Sequence, residues 1–238
     1  MRIPRHFGYT ILLLVLIGIY GSAGCQRSPN VQIEYEKGLS YLDQENLKAA
    51  ITCFNLVLEL EPDHAEAHFH RGIALAGIGD LAQATDDFTE VIRLEPKSPL
   101  AHHRRGNVAL AQNEWEAAIE NYDEAIRLRP DFEGALKTRG YALRKKGDFD
   151  QAIQDYSKAI ELDPEEAETY FNRALVYLKK KDYDATIKDC TSTIKLAPEH
   201  GSAFYVRGFC HNKKGDKDKT DADFKNAQEF GALPRIPD

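Results

Sequence analysis

The sequence predicts an all-α solenoid of six stacked helix–turn–helix units. Three observations carry that reading. First, Pro62, Pro96, Pro130, Pro164 and Pro198 stand 34 residues apart, and a fixed period of this length marks a repeat architecture. Second, apolar residues within a unit fall at helical spacing, as in Ala152, Ile153, Tyr156, Ala159 and Ile160. Third, turn signals separate the two apolar runs of a unit, at Gly79-Asp80, Gly147-Asp148 and Gly215-Asp216.

Each unit can be justified in turn. Residues 31–64 carry Gly38 in the first helix, Ala50 and Phe54 in the second, and close on Pro62. Residues 65–98 repeat this with Gly72, Ala84, Phe88 and Pro96. Residues 99–132 use Gly106, Ala118, Tyr122 and Pro130, and residues 133–166 use Gly140, Ala152, Tyr156 and Pro164. The fifth unit, 167–200, departs from the pattern with Ala174, Thr186 and Cys190 before Pro198. The sixth, 201–234, has Gly208, Thr220 and Phe224, but Ala232 stands where the proline is due. A small residue lets two antiparallel helices approach closely. A closing proline cannot continue a helix and so ends it. One such unit cannot bury its apolar face alone, and stacking on neighbours completes the core.

The array is expected to stop at the sixth unit. Ile51, Thr85, Ile119, Ile153 and Ile187 form a column that becomes Asp221, and Leu58, Ile92, Ile126, Ile160 and Ile194 form one that becomes Gln228. Polar residues at positions that would meet a seventh unit predict a solvated cap. Residues 231–238 are expected to form a loose tail.

These columns resemble the tetratricopeptide repeat (TPR) family, with a Gly or Ala in the first helix, Ala then an aromatic in the second, and a closing Pro. The resemblance covers residues 31–234. The family's usual Trp column is filled here by Glu34, His68, His102, Leu136, Tyr170 and Phe204. The resemblance implies a right-handed superhelix whose first helices line a concave groove that binds a protein or peptide. Two columns are expected to face that groove. One is Tyr35, Phe69, His103, Lys137, Phe171 and Tyr205; the other, four residues on, is Leu39, Ile73, Asn107, Tyr141, Leu175 and Phe209. Five of the second six are apolar or aromatic, which suits hydrophobic anchors on a partner. The competing reading is that these side chains pack on each other along the solenoid. If they are free, Phe171→Ala or Leu175→Lys should weaken partner capture with little loss of helix. Lys137, Arg144, Lys145, Lys179 and Lys180 add positive charge near the middle of the groove, which an acidic rim on the partner would complement. The terminal-carboxylate grip of chaperone-binding members is not expected. Lys137 and Asn172 match it, but Tyr141, Ser202 and Val206 occupy the other three positions.

Other clusters have structural readings. Lys37, Arg71, Arg105, Arg139, Arg173 and Arg207 lie sixteen residues before Cys53, Asp87, Asn121, Asp155, Asp189 and Asp223. Four of these pairs are Arg with Asp. They are expected as ion pairs between the helices of one unit, the alternative being an anion-binding stripe. His64, His68, His70, His102 and His103 cluster, yet His68 and His102 fall in the Trp column and are read as core rather than metal ligands. Cys190 and Cys210 fall on neighbouring helices, either as buried thiols or as a disulfide. No phosphate-binding glycine loop, metalloprotease pair or nucleophile elbow is present, so no enzyme activity, cofactor or metal is expected.

Residues 1–24 read as an export signal. Arg2, Arg5 and His6 precede an apolar run from Tyr9 to Tyr20, which is short for a membrane span. Ala23, Gly24 and Cys25 resemble the bacterial lipoprotein cleavage motif, although Ser22 stands where a large aliphatic is usual. That implies an acylated Cys25, a short linker at 25–30, and repeats facing the periplasm or exterior, the outer membrane favoured by Gln26. An uncleaved anchor and a plain secretory signal are the alternatives. Formal net charge is −7 over 238 residues, and the Arg-bearing segment 1–24 holds no acid. So anionic a surface argues against nucleic acid as a partner. The overall expectation is a membrane-anchored adaptor or scaffold, the alternative being a structural element that forms homo-oligomers through its groove.

Overall fold

The computed structural model describes residues 30–232. The expected signal or anchor, Cys25 and residues 233–238 lie outside the described residues. Twelve helices follow one another in antiparallel pairs, with no strand among the described residues: α1 (Val31–Asp43) and α2 (Leu47–Leu60), α3 (Ala65–Gly77) and α4 (Leu81–Leu94), α5 (Pro99–Ala111) and α6 (Trp115–Leu128), α7 (Glu133–Lys146) and α8 (Phe149–Leu162), α9 (Ala167–Lys179) and α10 (Tyr183–Leu196), α11 (Gly201–Lys213) and α12 (Lys217–Glu229). The protein is therefore an all-α solenoid of six helix–turn–helix units.

The small column works by allowing contact with a ring. A Cβ built on Gly38 would lie 2.5 Å from Phe54, one on Gly106 2.6 Å from Tyr122, and one on Gly208 2.9 Å from Phe224. Phe54 and Tyr122 are fully buried, which leaves their rings no room to retreat. In the fifth unit both partners change together. Ala174 supplies the Cβ, and the ring is reduced to the buried thiol of Cys190. The departure seen in the sequence is thus a volume exchange within one contact.

The turns also share one conformation. Gly79, Gly147 and Gly215 have φ of 84°, 98° and 80°, and Glu45, Asn113 and Lys181 take φ of 57°, 61° and 61° at the same step of the other three units. The turn geometry is thus set by the fold, and half the units hold it with side chains that cost about 1 kcal/mol or more relative to glycine. Second helices end two residues before each proline. Arg129 and Asp163 are extended, and Glu61, Glu95 and Ala197, with φ of −132°, −128° and −130° and ψ of 86°, 76° and 86°, have likewise left the helical region, which a following proline disfavours. Phe230, which lacks that proline, is not extended, and Gly231 turns the chain instead. Asp221 and Gln228 are exposed on the last helix.

Candidate functional site

Each helix packs on the next in the chain. The odd-numbered helices also touch one another in succession, α1 on α3 through to α7 on α9, while the even-numbered ones stand apart. Closer spacing on one side bends the stack, so the first helices of the units form the inner face. Residues four apart on a helix share a face, which brings the two sequence columns together there. Ten of the twelve are half-buried: Tyr35, Leu39, Phe69, Ile73, His103, Asn107, Lys137, Tyr141, Tyr205 and Phe209. Phe171 and Leu175 are only 6% and 4% exposed and belong to the core between the last two units. Their substitution is therefore a core lesion, so neither isolates a binding effect.

A third column, not singled out in the sequence, completes this face. It is the residue that closes each unit and precedes the next helix. His64 packs on Tyr35 with ring centroids 5.1 Å apart, Phe132 on His103 at 4.8 Å, and His200 on Phe171 at 4.5 Å. In the fourth unit the contact is ionic: Lys137 Nζ lies 2.7 Å from both Glu133 and Glu166. The 34-residue step linking His64, Phe132, Glu166 and His200 was visible in the sequence. Its relation to the groove column is a contact between distant positions and was not. His64 and His200 also cap the next helix, accepting from the backbone N–H of Ala67 and Ala203.

The remaining inner residues divide into packed and open. Tyr205 stacks on Phe224 at 5.4 Å, and Asn107 accepts a 2.8 Å hydrogen bond from the Tyr122 hydroxyl. Phe69 lines a hollow of about 170 Å³ with His70, Val91 and Leu100. Tyr141 lies under two cations, with the Arg144 guanidinium 5.2 Å and the Lys145 ammonium 5.6 Å from its ring centre. Arg144 is 7% exposed, and its Nε has no hydrogen-bond partner.

Charge on this face is uneven. Burial, with help from the Arg104 and Arg129 cations, pushes the His103 imidazole down to about 4, so it is neutral near pH 7. Burial works against the Lys137 ammonium, but Glu133 and Glu166 together hold its pKa above the usual range. Lys137 is thus already neutralised by its own chain.

The arginine column forms staples. Arg71 donates to Asp87 through Nε (2.9 Å) and Nη2 (2.6 Å), and through Nη1 to Asn55 of the preceding unit (2.8 Å). Arg139 and Arg173 repeat the scheme on Asp155 with Asp123, and on Asp189 with Ser157. Arg207 does the same on Asp223 with Thr191. Each guanidinium joins the helices of its unit and ties them to the unit before, so its donors are already engaged. His68 and His102 are both buried, yet their pKa values are displaced in opposite directions. Burial opposes the His68 cation, but Asp87, 2.8 Å away, lifts its pKa; at His102 the corresponding residue is neutral Asn121, and burial lowers it. Cys190 and Cys210 are buried free thiols in one cluster, and burial pushes Cys210 up to about 11. Among the described residues no three His, Cys, Asp or Glu side chains converge as metal ligands, and no helix is long and apolar enough to cross a membrane.

Comparison with known families gives matches to the tetratricopeptide repeat at residues 38–105, 99–132, 140–181 and 167–200. Among solved structures, a tetratricopeptide repeat protein from Parabacteroides merdae aligns with a TM-score of 0.73 at 18% identity, over 86% of this chain and 80% of that one. The pilF protein of Pseudomonas aeruginosa aligns at 0.70 and 16% identity, over 84% and 96%. YrrB, described as a TPR protein with an unusual peptide-binding site, aligns at 0.66 and 18% identity, over 75% and 92%. Likeness at these identities concerns the fold. No curated protein sequence matches this chain.

Proposed function

Since the chain is built of tetratricopeptide repeats, we propose that it is a non-enzymatic adaptor that holds a protein or peptide on its inner face. One observation carries this reading. Among half-buried groove residues, Phe69 lines a hollow with Val91 and Leu100, and Tyr141 and Phe209 are partly exposed on the same face, an arrangement that suits hydrophobic anchors on a bound segment. The peptide-binding site in the description of YrrB, on the same architecture, is consistent with it. Residues 1–24 would export the chain, and an acylated Cys25 would anchor it in a bacterial envelope membrane, the outer membrane favoured, with the repeats facing periplasm or exterior. Five residues separate Cys25 from Val31. At about 3.3–3.6 Å per residue they reach under ~22 Å, so a partner would be held close to the bilayer, as in the assembly of an envelope or secretion complex.

The test is photocrosslinking in envelope extract from Phe69 and Tyr141, with exposed Lys158 on α8 as the control position. Crosslinks to one partner from both inner positions are expected, with those from Phe69 lost in Tyr141→Ala while the helical signal is unchanged. Equal crosslinking from Lys158 would overturn the reading. Crosslinks only to a second copy of the chain would replace it by self-assembly. Cys25→Ser should release the chain from the membrane fraction, and retention would overturn the lipid anchor.

A further inference from the structure

We infer that the groove of the last three units takes an acidic peptide segment with apolar side chains between its carboxylates. This rests on the groove reading above and adds the chemistry of the partner. Lysine pairs stand at the C-terminal ends of α7, α9 and α11: Lys145-Lys146, Lys179-Lys180 and Lys213-Lys214, the last residue of the latter two pairs being the cap. The second lysine of each pair is engaged. Lys146 lies 3.1 Å from Asp148, Lys180 pairs with Asp150 and Lys214 with Asp184. The first lysines, Lys145, Lys179 and Lys213, are exposed and enter no ion pair among the described residues.

Those three lie on the groove side. Each is four residues beyond a member of the inner column, Tyr141, the buried Leu175 or Phe209, and so shares its side of the helix. Lys145 sits 5.6 Å from the ring centre of Tyr141, and Lys213 sits 5.3 Å from that of Phe209. Arg144 adds a buried guanidinium with an unpartnered Nε against the same Tyr141 ring. The chain carries a net charge of −7, so a row of cations left uncompensated beside recessed aromatics is a local exception. The earlier units have Asp43, Gly77 and Ala111 at the same step, which confines the row to the second half. Helices in contact pack about 8–10 Å apart, and α7 touches α9 directly. An extended chain advances about 3.3 Å per residue, so the matching partner carries Asp or Glu at about every third position.

The test uses a labelled ten-residue peptide with Glu at every third position and Leu or Phe between, read by fluorescence anisotropy against the full chain. Expected is saturable binding that weakens with salt, and a loss of about tenfold or more in Lys145→Glu/Lys179→Glu/Lys213→Glu. The control Lys146→Gln/Lys180→Gln/Lys214→Gln should change affinity less than about threefold. Unchanged helical circular dichroism in both variants keeps the comparison valid. Equal binding of a peptide with Lys in place of Glu would overturn the charge inference while leaving the groove reading intact. Absence of binding by either peptide would remove both. Binding of the row to phosphatidylglycerol vesicles but not to the acidic peptide would make it a lipid-facing surface and also overturn the inference.

Discussion

Ala174 and Cys190 offer the sharpest test of how the units close. In the other five units a glycine faces a ring, and an added Cβ would meet that ring at 2.5–3.1 Å. In the fifth unit the Cβ exists and the ring does not. Cys190→Phe should therefore place a buried ring against the Ala174 Cβ at a separation real contacts avoid. Overpacking of this kind costs about 1–3 kcal/mol. For a domain of this size that lowers Tm by about 2–4 °C for each kcal/mol. Ala174→Gly alone should cost about 1 kcal/mol, because glycine is a poor helix former. The double variant restores the arrangement of the other units. It should recover most of the overpacking penalty, a coupling of about 1–3 kcal/mol with a stabilising sign. Thermal and urea unfolding followed by circular dichroism at 222 nm complete the cycle. Strict additivity, with coupling under about 0.5 kcal/mol, would refute the volume exchange and leave Cys190 without this account.

Two further outcomes follow from the buried charges. Arg139→Met leaves the buried Asp155 carboxylate unpaired and should cost about 3–5 kcal/mol in urea unfolding, whereas Arg105→Met faces neutral Asn121 and should cost about 1 kcal/mol; equal losses would count against the staples. His103 is neutral in the fold with its pKa lowered to about 4, while the unfolded chain protonates near 6.5, so between those values the unfolded state binds the extra proton. Its contribution is fully present above pH 6.5 and falls as pH drops toward 4, by at most about 3 kcal/mol. A wild-type stability profile no steeper over that range than the profile of His103→Leu would contradict the assignment.

The sequence by itself determined the number of units, their order and their helical character. Those properties are carried by local chemistry at a constant step: Pro62 and its four equivalents stop helices, Gly38 and its equivalents let helices approach, and Asp221 and Gln228 put polar residues on the last described helix. It also placed two columns on one side of the first helices, because residues four apart share one side of a helix, but it missed the third column of His64, Phe132, Glu166 and His200. What needed tertiary structure was how fully each side chain is already engaged. Phe171 and Tyr141 look alike as aromatic members of the groove columns, yet one is core beneath His200 and the other keeps an open ring under Arg144 and Lys145. Lys179 and Lys180 are adjacent and identical in type, yet only Lys180 reaches Asp150. Burial and pairing of that kind depend on contacts between residues about thirty positions apart, whose geometry is set by the angle at which one unit stacks on the next.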